Sequence, residues 1–138
     1  MNTWQFIVEE NKCGNNVVLL YVVQSAGSSP GRQGFKMAVS NNGKMCGSIG
    51  GGIMEHKFVE MAKEELKSGI EKISIHRQLH HKDAVNNKSG MICSGEQTLL
   101  IYPVNSNDIE PIESLIRAEA LYNNGTLKIS NEGIHYLD

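Results

Sequence analysis

Cysteine is scarce in this chain: three residues in 138 (Cys13, Cys46 and Cys93), with no C-x-x-C pair among them. That set excludes a disulfide framework and a cysteine-rich zinc site. Long apolar runs are missing too. The longest, Val17 to Val23, has seven residues, against the roughly 20 needed to span a bilayer. Neither sign of charge dominates, since 13 basic and 15 acidic residues leave a formal net charge of −2. With no basic stripe either, a bulk electrostatic grip on nucleic acid is excluded. Residues 1–10 lack a basic region followed by an apolar stretch, so no secretory signal is expected there. No internal repeat or low-complexity linker marks a domain boundary. What remains is an ordinary globular composition, 40% hydrophobic and 20% charged. The expectation is one reduced, cytoplasmic domain over residues 1–138, with no nucleic-acid or membrane partner. A chain of this length buries roughly 68% of its unfolded surface, enough for one core.

Glycine is what the chain has in a concentrated place. Eight of its 14 glycines fall between Gly27 and Gly52. Glycine loses the most backbone entropy on folding, so such density marks positive φ or close approach. The patterning predicts a helix capped by Thr3 with Trp4, Ile7 and Val8 on one face. Val17 to Gln24 reads as a central strand buried on both sides. Lys36 to Ser40 and Lys44 to Ser48 read as a hairpin around Asn42-Gly43, with both turn residues at φ > 0. A helix is predicted over about Met54 to Lys67, with Phe58, Met61, Ala62 and Leu66 on its stripe and Gly69 as terminator. Glu71 to Leu79 alternates, with Ile73, Ile75 and Leu79 facing in and Ser74, His76 and Gln78 facing out. His80 to Gly95 reads as a long polar loop, and Glu96 to Tyr102 as an apolar strand stopped by Pro103. Asp108 caps a predicted helix carrying Ile109, Ile112, Leu115 and Ile116 and ended by Asn124-Gly125. Two terminal strands, Thr126 to Ile129 and Ile134 to Leu137, complete the pattern. The fold class expected is α/β of the α+β type: a mixed β-sheet with helices packed on it, in a single domain.

Three segments could carry chemistry. Ser25 to Gly34 follows a buried strand and offers backbone N–H groups, hydroxyls and the Arg32 guanidinium, the makings of an oxyanion cradle or of an exposed turn. It is not a Walker loop. Gly50-Gly51-Gly52 runs into a helix, whose positive end favours an anion. Glu55 in the first turn would compete with that anion or accept bonds from a ligand's N–H groups, and close strand–helix packing is the alternative reason for the glycines. In Gly90 to Gly95, Cys93 sits among glycines, where backbone donors favour thiolate, a soft ligand or sulfur carrier. The bland reading is a small buried hydrophobe. Cys13 and Cys46 read as structural, and His76, His80 and His81 as solvated, since their spacing matches no familiar ligand pattern.

The order of these segments is distinctive. Gln24-Ser25-Ala26-Gly27-Ser28-Ser29-Pro30-Gly31-Arg32-Gln33-Gly34-Phe35-Lys36-Met37, then Gly47-Ser48-Ile49-Gly50-Gly51-Gly52-Ile53-Met54-Glu55, then Gly90-Met91-Ile92-Cys93-Ser94-Gly95 resembles the XdhC/CoxI family of molybdenum-enzyme accessory factors, across roughly Val17 to Val104. The resemblance implies a protein that binds molybdenum cofactor (molybdopterin) as a ligand and assists replacement of an oxo ligand by sulfur. The loaded cofactor then passes to a xanthine-dehydrogenase-like molybdenum enzyme, with a cysteine desulfurase as a further partner. Carried onto this chain, it implies cofactor binding by Ser28, Ser29, Arg32, Lys36, Gly50, Gly51, Gly52 and Gly95. Cys93 becomes the metal ligand or sulfur relay, and Cys93 and Glu55 the chemically active pair.

Three departures stand out. Ile53 follows the third glycine, where the family often has cysteine. The third turn reads Cys93-Ser94-Gly95 rather than C-G-G. Longer relatives also carry a second, Rossmann-like domain, so a stand-alone copy is expected to rely on another polypeptide or to self-associate. A homodimer is the base-rate expectation. Two other readings compete: a small enzyme for a phosphorylated or nucleotide ligand using Cys93 and Glu55, and an interaction module without a ligand. Bulky side chains filling the space at the glycine turns would favour the last.

Overall fold

The computed structural model describes residues 1–27, 33–69, 71–80 and 95–137. In chain order the elements are α1 (Thr3–Lys12), β1 (Val17–Gly27), β2 (Lys36–Ser40), β3 (Met45–Ser48), α2 (Gly52–Ser68), β4 (Ser74–His80) and β5 (Gly95–Pro103). A short 3-10 turn (Ser106–Asp108) then leads into α3 (Ile109–Ala120), followed by β6 (Thr126–Ser130) and β7 (Gly133–Leu137). Five strands form one sheet in the order β3-β2-β1-β5-β4, and β6 and β7 pair separately. Every pairing in the large sheet is antiparallel, and helices pack on it, which is the expected α+β class.

The apolar run at β1 is central because both faces of the sheet are covered. On one face Val18, Leu20, Val22, Leu99 and Ile101 pack against Met54, Phe58, Val59 and Ala62 of α2. On the other, Leu19, Leu100 and Tyr102 meet Trp4 and Ile7 of α1, Ile112 of α3 and Ile134 of β7. Each fully buried Leu, Ile or Phe contributes roughly 1.5–3 kcal/mol by leaving water, so the run at Val17 to Val23 is the main anchor of both layers.

Several local expectations change. The cap of α1 is Asn2, not Thr3: its Oδ1 accepts from Gln5 N at 2.8 Å while Gln5 Oε1 accepts from Asn2 N. Thr3 is instead buried. The β2–β3 turn uses one left-handed residue, Gly43 at φ 90°, and Gly43 N donates to Ser40 O. Asn42 is free of that requirement because its side chain does the bracing, accepting from Lys44 N and donating to Glu10. On β4 the expected facing changes at His76 and Ile75, while Ile73, just before the strand, packs against the core as expected. His76 is half-buried with its ring edge-on to Phe58 at 5.6 Å, whereas Ile75 is 68% exposed. β4 is an edge strand, and the register sets His76 beside Leu99 in the α2 core. Helix α3 ends before Asn124-Gly125, at a C-cap Leu121 followed by Tyr122 in the left-handed region at φ 57°. Asp108 precedes α3 but makes no side-chain cap bond to it. Its carboxylate accepts from Tyr102 Oη at 2.8 Å, Asn105 N at 2.8 Å and Ile134 N at 3.0 Å.

Candidate functional site

An antiparallel sheet sends alternate connections to opposite ends, and this register gathers the glycine-rich ones at a single end. Gly95 opens β5 directly opposite Gly27, the last residue of β1, and opposite His80, the last residue of β4. Lys36 opens β2 opposite Ser48, which closes β3. The chain therefore leaves β1, β3 and β4 and enters β2 and β5 at the same sheet end. A bulge at Val23, where the register shifts between Val22 and Gln24, increases local twist just before β1 runs out past β2.

The turn between β3 and α2 is built from the backbone upward. Gly50, Gly51 and Gly52 sit at φ 124°, 75° and 72°, a left-handed succession that L side chains rarely adopt. A Cβ added at Gly51 or Gly52 would meet nothing within 4 Å. Close strand–helix packing therefore does not account for these two glycines; conformation does, and the space beside them is open. Gly51 caps α2 and makes no side-chain bond to the leading N–H groups of the helix.

Glu55 holds this turn together. Its Oε1 accepts from Ser48 Oγ at 2.6 Å, Ile49 N at 2.9 Å and Gly51 N at 3.0 Å. Partial burial pushes its pKa up, and the three donors more than offset that, leaving the carboxyl below its ordinary value. The carboxylate stays ionised and occupies the donors of Ile49 and Gly51 itself.

Gln97 of β5 went unnoticed in the sequence, although a glutamine inside an apolar strand was the available signal. It is fully buried. Its Nε2 donates to Ile49 O at 3.2 Å, so the turn is gripped by Glu55 on the N–H of Ile49 and by Gln97 on its carbonyl. Its Oε1 has no partner among the described residues, and leaving a buried acceptor unpaired costs about 1–3 kcal/mol.

Of the residues singled out in the sequence, Gly50, Gly51, Gly52, Glu55 and Gly95 lie at this sheet end. Ser28, Ser29, Arg32 and Cys93 lie outside the described residues, as does His81. Lys36 starts β2 here, but its Nζ is held by Gly34 O at 3.1 Å and lies 5.7 Å and 5.6 Å from the ring centroids of Trp4 and Tyr21. Its charge thus sits on the α1 face, across the sheet from α2. Cys46 is half-buried and donates from Sγ to Met1 O at 3.6 Å, while Cys13 is exposed. Among the described residues no three His, Cys, Asp or Glu side chains cluster as a metal site, and no helix is long and apolar enough to cross a membrane.

Comparison with known proteins adds the following. Residues 12–77 match the model of the XdhC and CoxI family, a span that includes the first two glycine segments and stops before Gly90 to Gly95. A crystal structure described as that of a xanthine dehydrogenase from Bacillus halodurans superposes with a TM-score of 0.70 at 18% identity. It covers 100% of this chain, which in turn spans 43% of that one; the likeness is one of fold. No curated protein matches the sequence. Over residues 12–77, then, the chain is similar to the XdhC and CoxI family.

Proposed function

We propose that this protein is an accessory factor for a xanthine-dehydrogenase-like molybdenum enzyme, and that it holds molybdenum cofactor at the glycine-rich end of its sheet. The observation that carries the reading is the convergence of Gly27, Gly95 and the Ser48–Gly52 turn at that one end, beside glycines whose added Cβ would meet open space. That openness favours a ligand-binding domain over a bare interaction module. Backbone N–H groups at the start of α2 suit the anionic portion of such a cofactor, because the helix dipole adds to their donor character. Glu55 is a positioning residue in this scheme, keeping the turn open by occupying its inner donors. Gln97 supports the same turn from the strand side.

When bound, the cofactor supplies a molybdenum centre able to exchange an oxo for a sulfido ligand. Cys93 is the residue proposed to stand near that metal, since thiolate is softer than any oxygen ligand. Transfer to the target enzyme and a cysteine desulfurase as sulfur source belong to the proposal through the family resemblance, and a homodimer belongs to it as the base-rate expectation. The enzyme alternative, with Glu55 as base, fits less well, because that carboxylate is already engaged by three donors.

The test is co-purification. The protein is expressed in a host that makes molybdopterin, the pterin is released, and its fluorescence is compared with that of an unrelated protein handled identically. Pterin well above background is expected; none would end the reading. Cys93→Ala is expected to lower cofactor sulfuration at unchanged stability, and unchanged sulfuration would remove its role.

A further inference from the structure

Gln97 holds a fully buried polar group on the α2 face of the sheet. Two residues further along β5, Leu99 pairs with Val22 and His76, and Leu99 and Val22 belong to the α2 core. At Gln97 the composition changes: the register sets Ser25 of β1 and Gln78 of β4 directly opposite it. This polar row lies between that core and the row of Gly27, Gly95 and His80 that ends the sheet. The orientation of the amide is determined, because turning it over would point its oxygen at the Ile49 carbonyl. Its Oε1 is therefore a buried acceptor without a partner among the described residues, next to a turn whose helix is capped by a glycine with no side-chain bond.

The turn's own N–H groups at Ile49, Gly50 and Gly51 are engaged by Glu55 and Ser48, so the donors that accompany this acceptor are the leading N–H groups of α2. Together they match a ligand edge that carries a donor beside an acceptor. A fully ionised phosphate group offers acceptors only; the amide edge of an aminopyrimidinone ring has a fixed donor beside an acceptor. We infer that Gln97 is a ligand-recognition residue whose Oε1 accepts a ring N–H of the pterin bound against the Ser48–Gly52 turn. This rests on the cofactor reading above and names the part of the cofactor read by the turn. Gln97→Met keeps the shape and removes the amide, so it exchanges the unpaired acceptor for apolar packing.

The experiment titrates the full chain with bare pterin, followed by fluorescence, and in parallel with inorganic phosphate. Gln97→Met is expected to weaken pterin binding by about tenfold or more. Its ligand-free melting temperature should change little, because removing the unpaired Oε1 offsets the lost Nε2 bond to Ile49 O, and any phosphate affinity should be unchanged. Equal pterin affinity in parent and variant overturns the inference, as does a loss of binding that merely follows a loss of stability, which would mark the amide as a strut or the seat of a buried water. Should the variant fail to fold, parent protein is titrated with pterin methylated on the ring nitrogen. About tenfold discrimination supports the inference, and equal affinity overturns it. Parent protein that retains molybdopterin yet ignores bare pterin overturns the role of Gln97 alone, whereas retention of neither overturns the cofactor reading as well.

Discussion

Glu55 reaches back from the first turn of α2 to accept the N–H of Gly51, the residue that caps the same helix, at 3.0 Å. One carboxylate oxygen thereby joins the end of β3, the glycine turn and the helix start. Glu55→Ala frees three donors at once and is expected to cost roughly 1–3 kcal/mol. Denaturant midpoints measure the loss, and a variant as stable as the parent would show that the turn keeps its shape without the carboxylate.

Glu10 performs the corresponding task at the far end of the sheet. It is buried, and its Oε1 accepts from Ser40 Oγ at 2.7 Å, Asn42 Nδ2 at 2.9 Å and Asn15 Nδ2 at 3.1 Å. The Ser40 bond leads in holding its pKa below the ordinary glutamate value of 4.5, against the opposing effect of burial. The unfolded chain thus takes up this proton first as pH falls. The contribution is full above about pH 4.5 and is lost as pH drops through the lower, folded-state pKa. Glu10→Gln is expected to cost about 1–2 kcal/mol at neutral pH. Melting curves from pH 3 to pH 7 (roughly the window over which a carboxylate changes charge) should show a shallower acid limb in the variant. An identical limb would remove Glu10 as a source of acid sensitivity.

Gly47 and Gly34 have nearly the same backbone, φ 95° and 94°, but different surroundings. A Cβ at Gly47 would collide with Lys36 O and lie 2.6 Å from Thr3 Oγ1, whereas at Gly34 nothing stands within 4 Å. Gly34→Ala should therefore cost only the left-handed penalty of about 1–2 kcal/mol. Gly47→Ala adds overpacking, for a total of roughly 2–5 kcal/mol. Equal destabilisation, read from urea titrations, would contradict the steric distinction.

Asp108 ties the terminal hairpin to the sheet through Tyr102 and Ile134. Burial and the neighbouring carboxylate push the Tyr102 hydroxyl well above its ordinary pKa, so it remains a donor at any physiological pH. Tyr102→Phe is expected to cost about 1 kcal/mol, and Asp108→Ala roughly 2–4 kcal/mol because buried donors lose their acceptor. Hydrogen exchange at the Ile134 amide should accelerate in Asp108→Ala far more than in Tyr102→Phe. Equal rates would mean that β7 is held by packing alone.

Most of the elements could be read from local pattern. The run Val17 to Val23, the stripe of Phe58 and Ala62 and the stop at Gly69 are one-dimensional signals, because periodicity and left-handed glycine caps act over a few residues. The three glycine segments could also be read, along with their likeness to the XdhC/CoxI pattern. Which face a residue takes at an edge was not legible. His76 went inward and Ile75 outward because β4 has a neighbour on one side only and the layer of α1 and α3 does not cover it there.

The sequence by itself determined the element types, the central strand and the places where only glycine fits, since these follow from near-neighbour sterics and hydrophobic spacing. Only the tertiary structure decided that Gly27 faces Gly95, that Lys36 spends its charge on Trp4 and Tyr21, and that Gln97 and Glu55 grip Ile49 from two sides. Those relations join residues far apart in the chain. Strand register and the satisfaction of buried polar groups settle them, and both are properties of the assembled sheet.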